Sequence, residues 1–243
     1  MKHLYEHKVI LLTAAATRTG GAIARYFLSQ GAKVYLNYYS NQKGCLELVD
    51  EFGQDHAIPM QGDVTDPDSV KAMFQTILSE SGRLDGLVNV VGDWHEKPVL
   101  ETDYEEFNRL LKNNLHSVFL MCKEAHPLLL KAEFPRVVNF AYAFGERVVS
   151  AKAWAYHIAK MGVISLTKSL ARQWGSDKIS VNVISPGTLF NSIVMESDNP
   201  ADYIPQGRFG EYKDLWPTFD LIFRSDSTYQ TGNNFIISGG YNV

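Results

Sequence analysis

Tyr156 and Lys160 are the residues whose types and spacing most directly suggest chemistry. They lie in the run from Ala153 to Leu170, where Ile158, Met161, Ile164, Leu166 and Leu170 recur at helical spacing. In a helix, positions i and i+4 share a face, so the phenol and the ammonium stand one above the other. A free phenol ionises near pH ~10 and is a poor acid or base at neutrality. A nearby cation favours the phenolate, and reaching a pKa of about 7 takes roughly 4 kcal/mol of differential stabilisation. A Tyr-x-x-x-Lys match also occurs on ordinary helix surfaces, so its weight depends on what surrounds it.

The surrounding pattern alternates. Lys8 to Leu12 reads as a buried strand, followed by the small, hydroxyl-rich turn Thr13-Ala14-Ala15-Ala16-Thr17-Arg18-Thr19-Gly20-Gly21. Ala22 to Gln30 reads as a helix capped by Gly31, and Lys33 to Asn37 as the next strand. This is a βαβ unit whose loop opens a helix N-terminus. A third strand is predicted over His56–Met60. A helix from the N-cap Asp66 and Pro67 to about Ser81 follows, then strand four over Leu84–Val91. A long helix covers Tyr104–Lys131, with a bend expected at Pro127. Strand five covers Arg136–Ala141, and the Tyr156 helix ends near Gly175. Strand six, Ile179–Ile184, is expected to stop at Ser185-Pro186-Gly187, and Asn234–Ile237 is the last strand. Apolar strands alternating with helices imply an α/β fold, a parallel sheet covered on both faces. Thr188 to Gly210 is rich in Asn, Asp, Ser, Pro and Gly. A loop of that length after a strand C-terminus suits a substrate lid, with Phe190, Ile193, Met195 and Tyr203 as an apolar wall; a plain surface loop or subunit contact is the alternative.

At 243 residues, one domain over 1–243 is the expectation. The hydrophobic and charged fractions, 45% and 21%, are those of a soluble globule. A net charge of -4 gives no reason to expect nucleic acid. No apolar run is long enough to span a bilayer, and the first residues lack a signal-peptide profile. Cys45 and Cys122, with no C-x-x-C, suit buried thiols in a reducing cytoplasm. The histidines show no HExxH or clustered spacing, so no metal site is expected.

Asp63-Val64 after strand three, Val88-Asn89 with Gly92 after strand four, Asn114, Tyr156, Lys160 and Pro186-Gly187 follow the βαβ start in one order. That ordered set resembles the short-chain dehydrogenase/reductase family over nearly the whole chain, to Thr231-Gly232 and Gly239-Gly240-Tyr241. The resemblance implies a three-layer, Rossmann-type doubly wound parallel sheet of about seven strands, a nicotinamide cofactor and a homo-oligomer. That would be a tetramer or dimer, paired through helices matching Tyr104–Lys131 and Lys152–Trp174, although a buried core face explains their apolar content equally. It implies Tyr156 as general acid for carbonyl reduction. Lys160 would lower its pKa and hold the nicotinamide ribose, and Asn114 would support a water relay. For cofactor binding it implies Thr13, Arg18, Thr19, Gly20, Ser40, Asn41, Asp63, Val64, Asn89, Gly92, Tyr156, Lys160, Pro186 and Gly187.

The chain departs from the family in several places. The glycine loop Thr-Gly-x-x-x-Gly-x-Gly becomes Thr13-Ala14-x-x-x-Arg18-x-Gly20, and Ala14 is tolerable if its φ stays negative. Pteridine reductases of the family also carry arginine at the position of Arg18, where it serves the cofactor phosphate; a solvated side chain is the bland reading. After strand two, Asn37-Tyr38-Tyr39-Ser40-Asn41 has no carboxylate to bind ribose hydroxyls. NADP(H) is therefore expected over NAD(H), its 2′-phosphate met by Arg18, Ser40 and Asn41. Val90 replaces the second asparagine after strand four, and Tyr142 stands where the family has its catalytic serine. Tyr142 can still donate one hydrogen bond. Asp93, Trp94 and His95 fall where the pocket wall begins and are candidate substrate contacts. Two functions fit. One is an NADP(H)-dependent oxidoreductase acting on a carbonyl or pterin-like C=N group. The alternative is a non-catalytic or weakly active binding or sensing relative. Acyl-carrier thioesters, sugars and quinones stay open as substrates.

Overall fold

The computed structural model describes residues 4–16, 18–143, 152–192, 197 and 199–241. Seven strands form one sheet: β1 (Val9–Leu12), β2 (Lys33–Tyr38), β3 (Ala57–Gln61), β4 (Gly86–Asn89), β5 (Arg136–Phe140), β6 (Ser180–Pro186) and β7 (Asn234–Ile237). Their order is β3-β2-β1-β4-β5-β6-β7, and every pairing is parallel. The helices are α1 (Arg18–Ser29), α2 (Lys43–Phe52), α3 (Pro67–Ser81), α4 (Tyr104–Leu111), α5 (Ser117–Leu129), α6 (Trp154–Gln173) and α7 (Trp216–Phe223).

Side chains alternate across a strand, and both faces of this sheet are apolar, which is why the strands read as unbroken hydrophobic runs. Ile10, Leu12, Val88 and Val138 enter one core with Ile23 and Phe27 of α1 and Phe219 and Phe223 of α7. Val9, Leu11, Leu87 and Val137 enter the other with Ile77 of α3, Met121 of α5 and Val163 of α6. The chain reverses direction across the sheet between β1 and β4, so the loops after those two strands face each other over a crevice. Thr13 braces it: its Oγ1 accepts from Val90 N at 2.8 Å and from Val91 N at 3.2 Å.

Several elements differ from the sequence reading. The first helix begins at Arg18, four residues early. Gly20 and Gly21 read as loop because glycine is a weak helix former, yet a Cβ at Gly20 would lie 2.0 Å from Ala14 O, so this close packing admits only glycine. Strand six runs on through Pro186, whose ring needs no donor at the last ladder position. Helices α2 and α7 went unread. The long helix breaks at a π turn, Lys112–His116, rather than at Pro127, which α5 accommodates. The N-terminus of α3 is as read: Asp66 accepts from Ser69 N at 3.0 Å, and Pro67 follows.

Candidate functional site

The crevice is lined from the π turn, helix α6 and the loops that follow β4 and β5. Asn114 lies in the π turn, where an extra residue in the helical repeat rotates its side chain inward. It is fully buried; Nδ2 donates to Asp93 O at 2.9 Å and to Leu110 O at 3.0 Å, and Oδ1 accepts from Asp93 N at 3.2 Å. Lys160 rises from α6 with 3% exposure, its Nζ donating to Phe140 O at 3.1 Å at the end of β5. That is its only hydrogen bond among the described residues. Between these groups runs bare backbone: a Cβ at Gly92 would sit 3.0 Å from Asn114 Oδ1 and 3.2 Å from Lys160 Nζ.

Tyr156 joins them from one turn earlier in α6, with Lys160 Nζ 5.6 Å from its ring centroid. Trp94 packs edge-on against it, centroids 4.6 Å apart, and Tyr142 approaches at 5.7 Å. Tyr142 and Trp94 meet at 6.1 Å. This enclosure reverses the pKa direction expected from the sequence. Burial pushes the Tyr156 phenol up, and Tyr142 adds to the shift. Burial also draws the Lys160 pKa down, to about 8.

The sequence-predicted residues divide. Tyr156, Lys160, Asn114, Tyr142 and Gly92 come together as described. Pro186 and Gly187 end β6 beside them: Pro186 O accepts from Ala143 N at 3.2 Å, and a Cβ at Gly187 would meet Ser238 at 2.9 Å. Thr13 is 1% exposed and faces inward, its hydroxyl oxygen taken by the two amides of the β4 loop. Asn89 faces away from the crevice, donating to Asn139 Oδ1 at 2.9 Å in a buried network with Cys122 and Thr167. Burial there holds the Cys122 thiol up at about 12. Val64 packs its side chain into the second core. Asp63 Oδ1 accepts from Thr65 N at 2.8 Å and Thr65 Oγ1 at 2.7 Å, a local turn ahead of α3.

At the other end of the crevice, Arg18 is exposed at the first position of α1, with Thr19 and Gly20 behind it. Ala14 has φ 55° and Arg18 φ 45°, so the condition of a negative φ for Ala14 is not met. Both residues keep the left-handed backbone that the family's glycines favour. Ser40 and Asn41 are exposed on the loop into α2, where Asn41 Oδ1 accepts from Lys43 N at 3.0 Å. A Cβ at Gly44 would lie 1.8 Å from Ala16 O, so the start of α2 sits directly against the loop into α1. Gly44 was missed in the sequence because nothing marks one glycine inside a helix as a close approach.

Two candidate substrate contacts are engaged elsewhere. Asp93 pairs with Arg109, and His95 Nε2 lies 3.5 Å from Glu106 Oε1, both on α4. Only Trp94 reaches Tyr156. Of the expected lid wall, Tyr203 packs on Tyr241 at 5.1 Å, in a cluster that includes Tyr142. Phe190 turns outward onto Tyr212, and Ile193 and Met195 lie outside the described residues. No group of His, Cys, Asp and Glu among the described residues has the arrangement to hold a metal ion. No helix among them is long and apolar enough to cross a membrane.

Comparison with known proteins agrees with this architecture. Residues 15–242 match the family model described as Enoyl-(Acyl carrier protein) reductase. The 3-oxoacyl-[acyl-carrier-protein] reductase FabG of Escherichia coli K12 is 30% identical over 241 residues, covering 97% of this chain and 98% of its own. The protein of that name from Staphylococcus aureus is 30% identical over 242 residues, covering 96% and 97%. A dehydrogenase/reductase from Sinorhizobium meliloti superposes with a TM-score of 0.91 at 25% identity, covering 100% of this chain and 98% of its own. A short-chain dehydrogenase/reductase from Serratia marcescens shares the fold, with a TM-score of 0.90 at 24% identity over 99% of this chain and 100% of its own. Sequence, sheet order and the crevice geometry converge: the chain belongs to the short-chain dehydrogenase/reductase family of oxidoreductases.

Proposed function

We propose that this protein is an NADP(H)-dependent reductase of a carbonyl or pterin-like C=N group, with Tyr156 as its proton donor. The observation that carries this reading is the Lys160 ammonium, buried with a single acceptor among the described residues, between Gly92, Asn114 and Tyr156. A buried ammonium has three donors to satisfy, and ribose hydroxyls at the bare Gly92 backbone would complete them. That cradle fits a nicotinamide nucleotide. Arg18, Ser40 and Asn41, which flank the Ala16–Gly44 approach along the chain, would meet a 2′-phosphate. When bound, the reduced nicotinamide supplies the hydride.

The chain's own residues supply the proton and the orientation. Burial keeps the Tyr156 phenol protonated across the neutral range, so the proton is present for a developing alkoxide, while making the phenol a weaker acid than a free tyrosine. Tyr142, 5.7 Å from Tyr156, offers a second hydroxyl in place of the family's serine. Lys160 holds the ribose, and Asn114 fixes the turn beside it. A weakly active or sensing protein is the second reading; Tyr142 and the tight Trp94–Tyr156 packing favour it.

Titration of the purified protein with NADPH and with NADH, followed by energy transfer from protein aromatics, tests the cofactor. Micromolar binding of NADPH with weaker NADH is the expected result. No binding of either would sink the reductase. A screen of 3-oxoacyl thioesters, chosen because the FabG relatives bear that name, with quinones and pterins then selects a substrate. On that substrate Tyr156→Phe should lose at least about 10²-fold in kcat, since a positioned proton donor is worth roughly 10²–10⁴.

A further inference from the structure

The segment leaving β4 carries an acid that the proposed chemistry does not use. Asp93 Oδ2 accepts from Arg109, at the end of α4, and from Asn113 Nδ2 at 3.1 Å, inside the π turn. Arg109 and Asn113 are four apart and share a helix face, so one carboxylate reaches both. The backbone of Asp93 is held from the same turn. Asn114 Nδ2 donates to its carbonyl at 2.9 Å, and its N–H donates to Asn114 Oδ1 at 3.2 Å. A single residue therefore holds the inward asparagine itself and, before it, Arg109 and Asn113 on their shared helix face. The next residue along the chain is Trp94, which packs on Tyr156.

We infer that Asp93 is a positioning residue: paired with Arg109, it clamps the π turn so that Asn114 stays beside Lys160 and Trp94 stays against Tyr156. A half-exposed ion pair that held only itself would contribute little. This one differs because the backbone it fixes is the backbone that grips Asn114. A π turn lacks the regular i to i−4 ladder and depends on such outside contacts to keep its shape. The inference rests on the reductase reading for its catalytic consequence, but its structural content stands apart from it.

The test uses Asp93→Asn, Arg109→Gln, the double variant and Arg109→Lys in the full chain. Two readouts are taken: deuterium uptake of the peptide covering residues 112–116, and steady-state kinetics with NADPH and the substrate selected by the screen. Each single variant should take up deuterium in that peptide at least fivefold faster and lose about tenfold in kcat, with KM within twofold. The double variant should be no worse than either single one, because both remove the same clamp. Arg109→Lys should recover part of the loss. Unchanged uptake overturns the clamp, as does faster uptake with unchanged kcat. A rise in KM alone also overturns it, since that would make Asp93 a substrate contact. If Asp93→Asn fails to fold, the exposed Arg109→Gln decides. Full turnover by Tyr156→Phe would instead sink the reductase reading and leave the uptake result to judge the clamp.

Discussion

Lys160 shows at the scale of one residue how this site trades stability for chemistry. Its burial lowers the pKa from the ordinary 10.5 to about 8. Between those values the unfolded chain holds a proton that the folded chain has released, so stability rises with pH across the window and the full cost applies below it. Lys160→Met removes that cost. It should raise stability at pH 7 by about 1–3 kcal/mol while abolishing turnover. Urea unfolding at pH 7, 8.5 and 10 checks it: the advantage of the variant should shrink as pH rises, and a less stable variant at pH 7 would refute the argument. The sequence displayed the Tyr-Lys pair but not this sign. Helical spacing gives proximity, whereas the pKa is set by what encloses the pair. Trp94 and Tyr142 come from two other loops, so no local pattern reveals that they close on Tyr156.

The loop between β1 and α1 poses a similar problem at the scale of the element. Ala14 and Arg18 hold positive φ where side chains are disfavoured by about 1–2 kcal/mol. Such strain persists where surrounding structure or function requires it. Ala14→Gly should gain about 1 kcal/mol with NADPH affinity unchanged. Arg18→Gly should gain similarly yet bind NADPH about 10-fold more weakly, the size of one charge-assisted hydrogen bond. Thermal melts with the nucleotide titration separate strain from binding, and equal NADPH affinity in both variants would count against a phosphate role for Arg18. Elsewhere the elements were legible where hydrophobic period and punctuation agreed, as at Asp66-Pro67 and along β7. The π turn was not legible, because Lys112 to His116 carries no breaker stronger than two asparagines. Helix α7 was not legible either, since its terminus depends on a distant residue. Arg136, 2% exposed at the start of β5, donates to Ile222 O at 2.7 Å and Arg224 O at 3.1 Å. It caps the far end of α7 with a cation where the helix dipole is negative. Arg136→Met leaves those carbonyls unpaired and should cost about 3 kcal/mol by urea unfolding.

The whole molecule places these pieces by one topological fact. Parallel order with a reversal between β1 and β4 sends every functional loop to the same sheet edge and leaves the opposite faces of α4, α5 and α6 free of that task. Those faces are not polar. Tyr104 on α4, Phe119 on α5, and Ile158 and Met161 on α6 are all exposed, and Leu100 ahead of α4 is 98% exposed. Isolated exposed apolar residues are ordinary, but five on neighbouring elements suggest a surface that is covered. The pairing helices of the family are the same ones, so we expect a homo-oligomer joined through them. A surface of this kind should fail when a charge is buried in it without a partner. Light scattering should give a multiple of the 27.3 kDa chain mass for the native protein. The double variant Phe119→Glu/Met161→Glu should run as a single chain that keeps its NADPH affinity, because neither residue lies at the crevice. A native protein that runs at 27.3 kDa would end the oligomer expectation and require another reason for the exposed face.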